Sequence, residues 1–148
     1  MKKIFLATFV LIAFLTSCKN NSTEQTNSSM TDSSKFENSK LIVLYFHATN
    51  RCPTCNSVEQ NVRLVIDSLY KSQLENKEIY FESLNFEQKQ NQQLVEKYQI
   101  AMSTLLLITK DNQQENISDL TNIAFSFSRS QPETFKTIIA DTIKKLLQ

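Results

Sequence analysis

No glycine occurs anywhere in the 148 residues. Its absence excludes a glycine-rich loop that would let backbone amides cradle a phosphate. It also obliges turns to use Asn, Asp, Ser or Pro where glycine would be easiest. Tryptophan is missing too, and histidine occurs once, proline twice and cysteine three times. Three cysteines are too few for a disulfide-dense scaffold. With 41% hydrophobic and 21% charged residues, the chain is not collagen-like, coiled-coil or multipass membrane protein either. Nor is there an excess of one charge: a formal net charge of +1 provides no electrostatic footprint for nucleic acid. The length suits one globular domain.

The first segment reads as an address. Lys2 and Lys3 precede 12 largely apolar residues, Ile4 to Leu15, with Thr8 the only polar one. That run is short of the roughly 20 residues a membrane-spanning helix requires, and its basic start and small-residue end fit a secretory signal. The sequence Leu15-Thr16-Ser17-Cys18 resembles the lipobox of bacterial lipoproteins. The resemblance implies that residues 1–17 are removed and that Cys18 becomes an acylated N-terminus. Loss of Lys2 and Lys3 then takes the net charge from +1 to −1. Several acyl chains, at ~0.8 kcal/mol per buried CH₂, would hold the chain on a membrane. The folded part would lie outside the cytoplasm, where disulfides persist. An ordinary signal cleaved nearby, leaving a free Cys18, is the alternative.

Residues 18–38 read as a flexible tether. From Lys19 to Ser34, 11 of 16 residues are Ser, Thr or Asn, and Met30 is the only large apolar one. Such a stretch cannot offset its ordering entropy by burial. As a random coil it spans roughly 20–25 Å. The compact domain is expected over residues 39–148, with order beginning near Phe36 to Lys40.

The domain alternates strands and helices. Leu41 to Phe46 is a continuous apolar run suited to a strand buried on both faces. Pro53 opens a helical pattern carrying Val58, Val62, Val65, Ile66, Leu69 and Tyr70 on one side. Residues 79–84 read as a second strand, and 88–99 as a second helix with Leu94, Val95 and Tyr98 inward. Thr104 to Thr109 is a third strand. Asp111-Asn112 offers a hairpin turn into a short fourth strand over 114–117. A short helix is expected near Leu120, Ile123, Ala124 and Phe127. The last helix, with Phe135, Ile138, Ile139, Ile143, Leu146 and Leu147 in a stripe, is expected to start from a capping box of Ser130 and Glu133. The expected fold is α/β: βαβαββα plus one short extra helix, around a mixed four-stranded sheet.

The chemistry lies in Arg51-Cys52-Pro53-Thr54-Cys55. A C-x-x-C pair in a βαβ context reads as a redox motif. Cys52 falls at a helix N-terminus, where unpaired N–H groups and the helix dipole favour a thiolate, and Arg51 adds a positive charge next door. Cys55, one turn inside, reads as the resolving thiol. Two other uses stay open. The pair is either a structural bridge or a pair of soft-metal or metalloid ligands. A zinc site would need more ligands than two thiols and the lone His47 readily supply. No nucleotide or flavin motif is visible, so the expected redox group is the Cys52–Cys55 disulfide itself, with no organic cofactor and no resident metal.

The strand–C-x-x-C–helix opening is similar to the thioredoxin superfamily. Leu84-Asn85, then Lys97-Tyr98-Gln99-Ile100 and Thr104 to Leu107 look like its second βαβ passage, so the resemblance covers roughly residues 40–147. It implies a thioredoxin-like three-layer α/β/α sandwich. Within the superfamily, the stretch Tyr45-Phe46-His47-Ala48-Thr49-Asn50-Arg51-Cys52-Pro53-Thr54-Cys55 resembles the small ArsF-like branch, associated with arsenic-resistance clusters and a nitrophenyl-arsenical reductase. Three departures from ordinary thioredoxins stand out. Ser103 takes the place of their cis-proline, which predicts a trans Met102–Ser103 peptide. Tyr45 takes the place of a buried carboxylate beneath the Cys pair. Finally, the loop before the motif is one residue longer and ends in Arg51 rather than Trp.

His47 has two readings, a packed strand-end residue or a proton-transfer helper, since its ordinary pKa of about 6.5 suits a thiol. Ser103 is a second helper candidate, through its hydroxyl. Phe125 and Phe127 are either core or the lining of a groove beside the Cys pair. Two functions of different class follow. One is an exported, lipid-anchored thiol–disulfide oxidoreductase. It would be recharged by a redox partner protein and pass electrons to a reductase or arsenical that the resemblance implies. The other is a module in which Cys52 and Cys55 bind a metalloid or soft metal.

Overall fold

A computed structural model describes residues 35–36, 38–112 and 114–148. The signal segment, Cys18 and the tether to residue 34 lie outside the described residues. The apolar run forms β1 (Leu41–His47), whose first six residues are all buried. It is followed by α1 (Pro53–Leu69), α2 (Lys71–Glu75) and β2 (Ile79–Asn85). After a 3₁₀ turn over Lys89–Asn91 come α3 (Gln92–Lys97), β3 (Thr104–Asp111), β4 (Gln114–Asp119), α4 (Thr121–Phe127) and α5 (Pro132–Leu146).

The sheet order is β2-β1-β3-β4. β1 and β2 are parallel, from Leu41 opposite Ile79 to His47 opposite Asn85. β3 runs antiparallel to β1, and β4 antiparallel to β3. Because side chains alternate along a strand, β1 feeds two cores. Leu41, Val43 and Tyr45 meet Val58, Val62 and Ile66 of α1, Ala124 of α4 and Phe135, Ile139 and Ile143 of α5. Ile42, Leu44 and Phe46 meet Leu94 of α3 and Leu106 and Ile108 of β3 on the other face. This is a mixed four-stranded sheet with helices on both sides, an α/β architecture as the sequence predicts.

Phe36, at the start of the range where order is expected to begin, is only 1% exposed, and its ring centre lies 5.3 Å from that of Tyr80. Other details differ from the sequence reading. The first helix breaks at Tyr70, which leaves helical dihedrals and donates its hydroxyl to the Ala140 carbonyl of α5 at 2.8 Å. Beyond that anchor the chain makes the separate short α2. Leu69, expected on the buried stripe, is 62% exposed. The last turn of α1 stands off from α5, and with Leu64 it edges a groove against Thr137 and Ala140. The capping box is not formed. Ser130 donates instead to the Ser126 carbonyl at 2.7 Å, and α5 starts at Pro132 with Gln131 as N-cap and no side-chain cap. Pro132 supplies the pre-set φ of a first helical residue, which moves the start past Ser130.

Candidate functional site

The site sits where β1 ends and α1 begins. β1 delivers His47, and residues 48–51 turn the chain into Pro53, the first helical residue. That turn is fastened to the neighbouring strand end. Phe86 N–H donates to the His47 carbonyl at 2.9 Å, Thr49 N–H to a Glu87 carboxylate oxygen at 3.0 Å, and Asn85 Nδ2 to Thr49 Oγ1 at 2.9 Å. Glu87 is held below the usual carboxylate range by these Thr49 hydrogen bonds.

Cys52 is the N-cap of α1, with extended dihedrals of φ −75° and ψ 160°. Its sulfur accepts a hydrogen bond from the Cys55 N–H at 3.1 Å. One orphan amide of the helix start therefore points at this sulfur, and its position at the positive end of the helix favours the anionic form. Cys52 is exposed, whereas Cys55 is 7% exposed, and their Cα atoms are 5.1 Å apart in a disulfide. Pro53 is exposed and Thr54 half-buried between them. An accessible sulfur bonded to a buried one, at the start of a helix, can open by thiol attack from one side only.

Beneath the pair lies a polar network. The Cys55 carbonyl accepts from the Tyr45 hydroxyl at 3.0 Å and from Arg51 Nη2 at 3.3 Å. Arg51 Nη1 pairs with Glu59 Oε2 at 2.5 Å, and its guanidinium stands 5.8 Å from the Tyr45 ring centre. Glu59 is also paired with Arg63 at 3.1 Å, and Arg63 lies over the Phe81 ring. Burial opposes ionisation of Glu59, but hydrogen bonds from Arg51 and Arg63 outweigh it and hold the carboxyl below its ordinary value. Ser83, the register partner of Tyr45 on β2, adds to that pull although its hydroxyl is outside regular hydrogen-bond geometry. Burial pushes the Tyr45 phenol up, against the opposing influence of Arg51.

The structure brings most of the sequence candidates together. Ser103 is half-buried and interacts through its side chain with Tyr45, which in turn touches Cys55. Every peptide bond among the described residues is trans, Met102–Ser103 included. His47 turns Nδ1 to the Ala48 carbonyl at 2.9 Å, which makes Nδ1 the protonated nitrogen, and its ring lies 6.2 Å from that of Tyr45. Phe127 packs against the larger core, whereas Phe125 is 37% exposed. Among the described residues no group of three or more His, Cys, Asp or Glu could hold a metal. A metalloid on this pair would therefore have two sulfurs as its ligands.

Glu59 was missed by the sequence reading, which sought a carboxylate only at the Tyr45 position. The signal was present: Glu59 follows Cys55 by one helical turn and precedes Arg63 by another, so all three share one side of α1.

No protein-family model and no curated protein matches the chain. Among solved structures it is similar to a Trichomonas vaginalis thioredoxin, at 16% identity and TM-score 0.46, over 74% of this chain and 86% of that one. A Thermus thermophilus thioredoxin is 20% identical at TM-score 0.42, over 71% of this chain and 75% of that one. For a Plasmodium falciparum thioredoxin the figures are 16% and 0.42, over 57% and 62%, so the match spans less than two thirds of that protein.

Proposed function

We propose that the chain is a thiol–disulfide oxidoreductase working through Cys52 and Cys55. The observation that carries this reading is the exposed Cys52 sulfur at the α1 N-cap, hydrogen-bonded by the Cys55 amide, with Cys55 buried one turn behind it.

In the reducing direction, the Cys52 thiolate attacks one sulfur of a partner disulfide. A mixed disulfide forms, and the partner's other sulfur leaves as a thiolate and takes up a proton. Cys55 then loses its proton and attacks the Cys52 sulfur. The intramolecular disulfide closes and the partner's second thiol is released. Two electrons and two protons pass to the partner, so a second redox protein must return the Cys pair to the dithiol. The network under Cys55 holds its backbone carbonyl from two sides, which keeps the resolving sulfur aimed at Cys52. His47 and Ser103 are the candidate helpers beside it.

The lipobox-like Leu15 to Cys18 supports an exported, lipid-anchored location, and the Tyr-Phe-His to Arg-Cys-x-x-Cys stretch supports an electron-passing role toward a nitroaromatic or arsenical reductase. Cys52→Ser is expected to abolish reduction of a model disulfide, while Cys55→Ser accumulates a covalent adduct with it. Turnover retained in Cys52→Ser would remove the reading. Stoichiometric arsenite binding by the reduced wild-type chain, with no disulfide exchange, would replace it with the metalloid-binding module.

A further inference from the structure

We propose that Glu59 is a positioning residue that sets the acidity of Cys52 by neutralising and immobilising Arg51. From the sequence, Arg51 is a cation covalently adjacent to the nucleophile and free to stabilise its thiolate. In the fold the guanidinium is turned along α1 instead, with one nitrogen on Glu59 at 2.5 Å and another on the Cys55 carbonyl at 3.3 Å. The side chains of Arg51 and Glu59 are 24% and 19% exposed, so solvent and salt screen this pair less than a surface pair. Arg63, the second cation on Glu59, is 53% exposed and correspondingly screened. The groups facing Glu59 are thus Arg51 from the loop, Arg63 from its own helix, Tyr45 from β1 and Ser83 from β2. None of them is a second carboxylate.

Two consequences follow. The helix start and Arg51 both favour a Cys52 thiolate, and the Glu59 carboxylate opposes them from about two turns along α1. Glu59 also fixes where the Arg51 charge sits, because the ion pair and the Cys55 carbonyl together hold the guanidinium in place. Replacing Glu59 by Gln keeps an acceptor of the same shape for Arg51 and removes only the charge. Replacing Arg51 by Met leaves the carboxylate and removes the cation. The two changes must move Cys52 in opposite directions. A role in packing alone would not produce opposite signs.

The inference gains its functional meaning from the exchange reading, but its test does not depend on turnover. The full-length chain is reduced, and the rate of iodoacetamide alkylation at Cys52 is followed against pH, resolved from Cys18 and Cys55 by peptide mass spectrometry. Glu59→Gln is expected to lower the Cys52 midpoint and raise the thiolate fraction three- to ten-fold at a pH below it. Arg51→Met is expected to lower that fraction by a similar factor. The double variant should return close to wild type, and Glu59→Asp, which keeps the charge, should stay near it. In equilibrium with glutathione, a ten-fold shift of Glu59→Gln toward the dithiol corresponds to about 30 mV toward the oxidising side. Single variants that move Cys52 in the same direction, or folded single variants that leave it unmoved, overturn the proposal. If Glu59→Gln does not fold, Arg51→Met and Glu59→Asp still decide it. A wild-type chain that exchanges with no disulfide yet shows the opposed shifts would retire the enzyme reading and leave the charge balance standing.

Discussion

At the scale of single residues, the missing glycine has a visible cost. Lys77, Gln99 and Asn112 hold left-handed φ values of 63°, 52° and 47°. Of these only Asn112, at the hairpin between β3 and β4, is a residue type that tolerates the region well. Gln99 sits just past α3, where its N–H donates to the Glu96 carbonyl and the next N–H, of Ile100, to the Val95 carbonyl. This is the Schellman pattern, whose left-handed position usually carries glycine. Gln99→Gly should therefore raise unfolding free energy by about 1 kcal/mol in a urea titration, with the slope unchanged. Glu59 supports a second expectation at this scale. Its folded pKa lies below the unfolded value of about 4.3, so its contribution is complete above that value and is lost as pH falls through the folded one. Glu59→Gln should lose less stability than wild type between about pH 5 and pH 3, measured by denaturant titration at each pH.

Among the elements, α1 depends on the chemistry it carries. Its N-cap is a sulfur rather than the usual side-chain oxygen. Cys52→Ser preserves an acceptor for the Cys55 N–H, and Cys52→Ala removes it. Neither variant can form the disulfide, so the Ala form should be less stable than the Ser form by about 1 kcal/mol in thermal or urea melts. The elements legible in the sequence were those whose signal is local and strong. The apolar runs of β1 and β3, the Pro53 start of α1 and the stripe through Phe135, Ile139 and Ile143 all stand in the structure where periodicity put them. What was not legible depends on distant partners. The break at Tyr70 follows from a bond to Ala140, 70 residues away in the chain. The Ser130–Glu133 spacing satisfied a capping rule, but Ser130 found the Ser126 carbonyl one turn back. The Cys pair was readable from spacing alone, whereas the Arg51–Glu59 pairing beneath it appears only once α1 is wound against β1.

For the molecule as a whole, β1 is the element both halves share. Its even-numbered and odd-numbered side chains belong to different cores, so a cavity on either side weakens the same central strand. Leu44→Ala, on the face covered by α3, should cost about 2–5 kcal/mol by denaturant unfolding. That is a large part of the roughly 5–15 kcal/mol a domain of this kind possesses. The direction of β1 has a further consequence. The chain joins the sheet at Leu41 and reaches the site only after His47, so about 20 Å of strand separates the point of entry from the chemistry. Phe36, packed on Tyr80 beside the start of β1, thus lies at the opposite end of the strand from the reactive sulfur. A reagent or protein that reaches the Cys52 sulfur therefore meets the end of β1 that the packed Phe36 leaves clear.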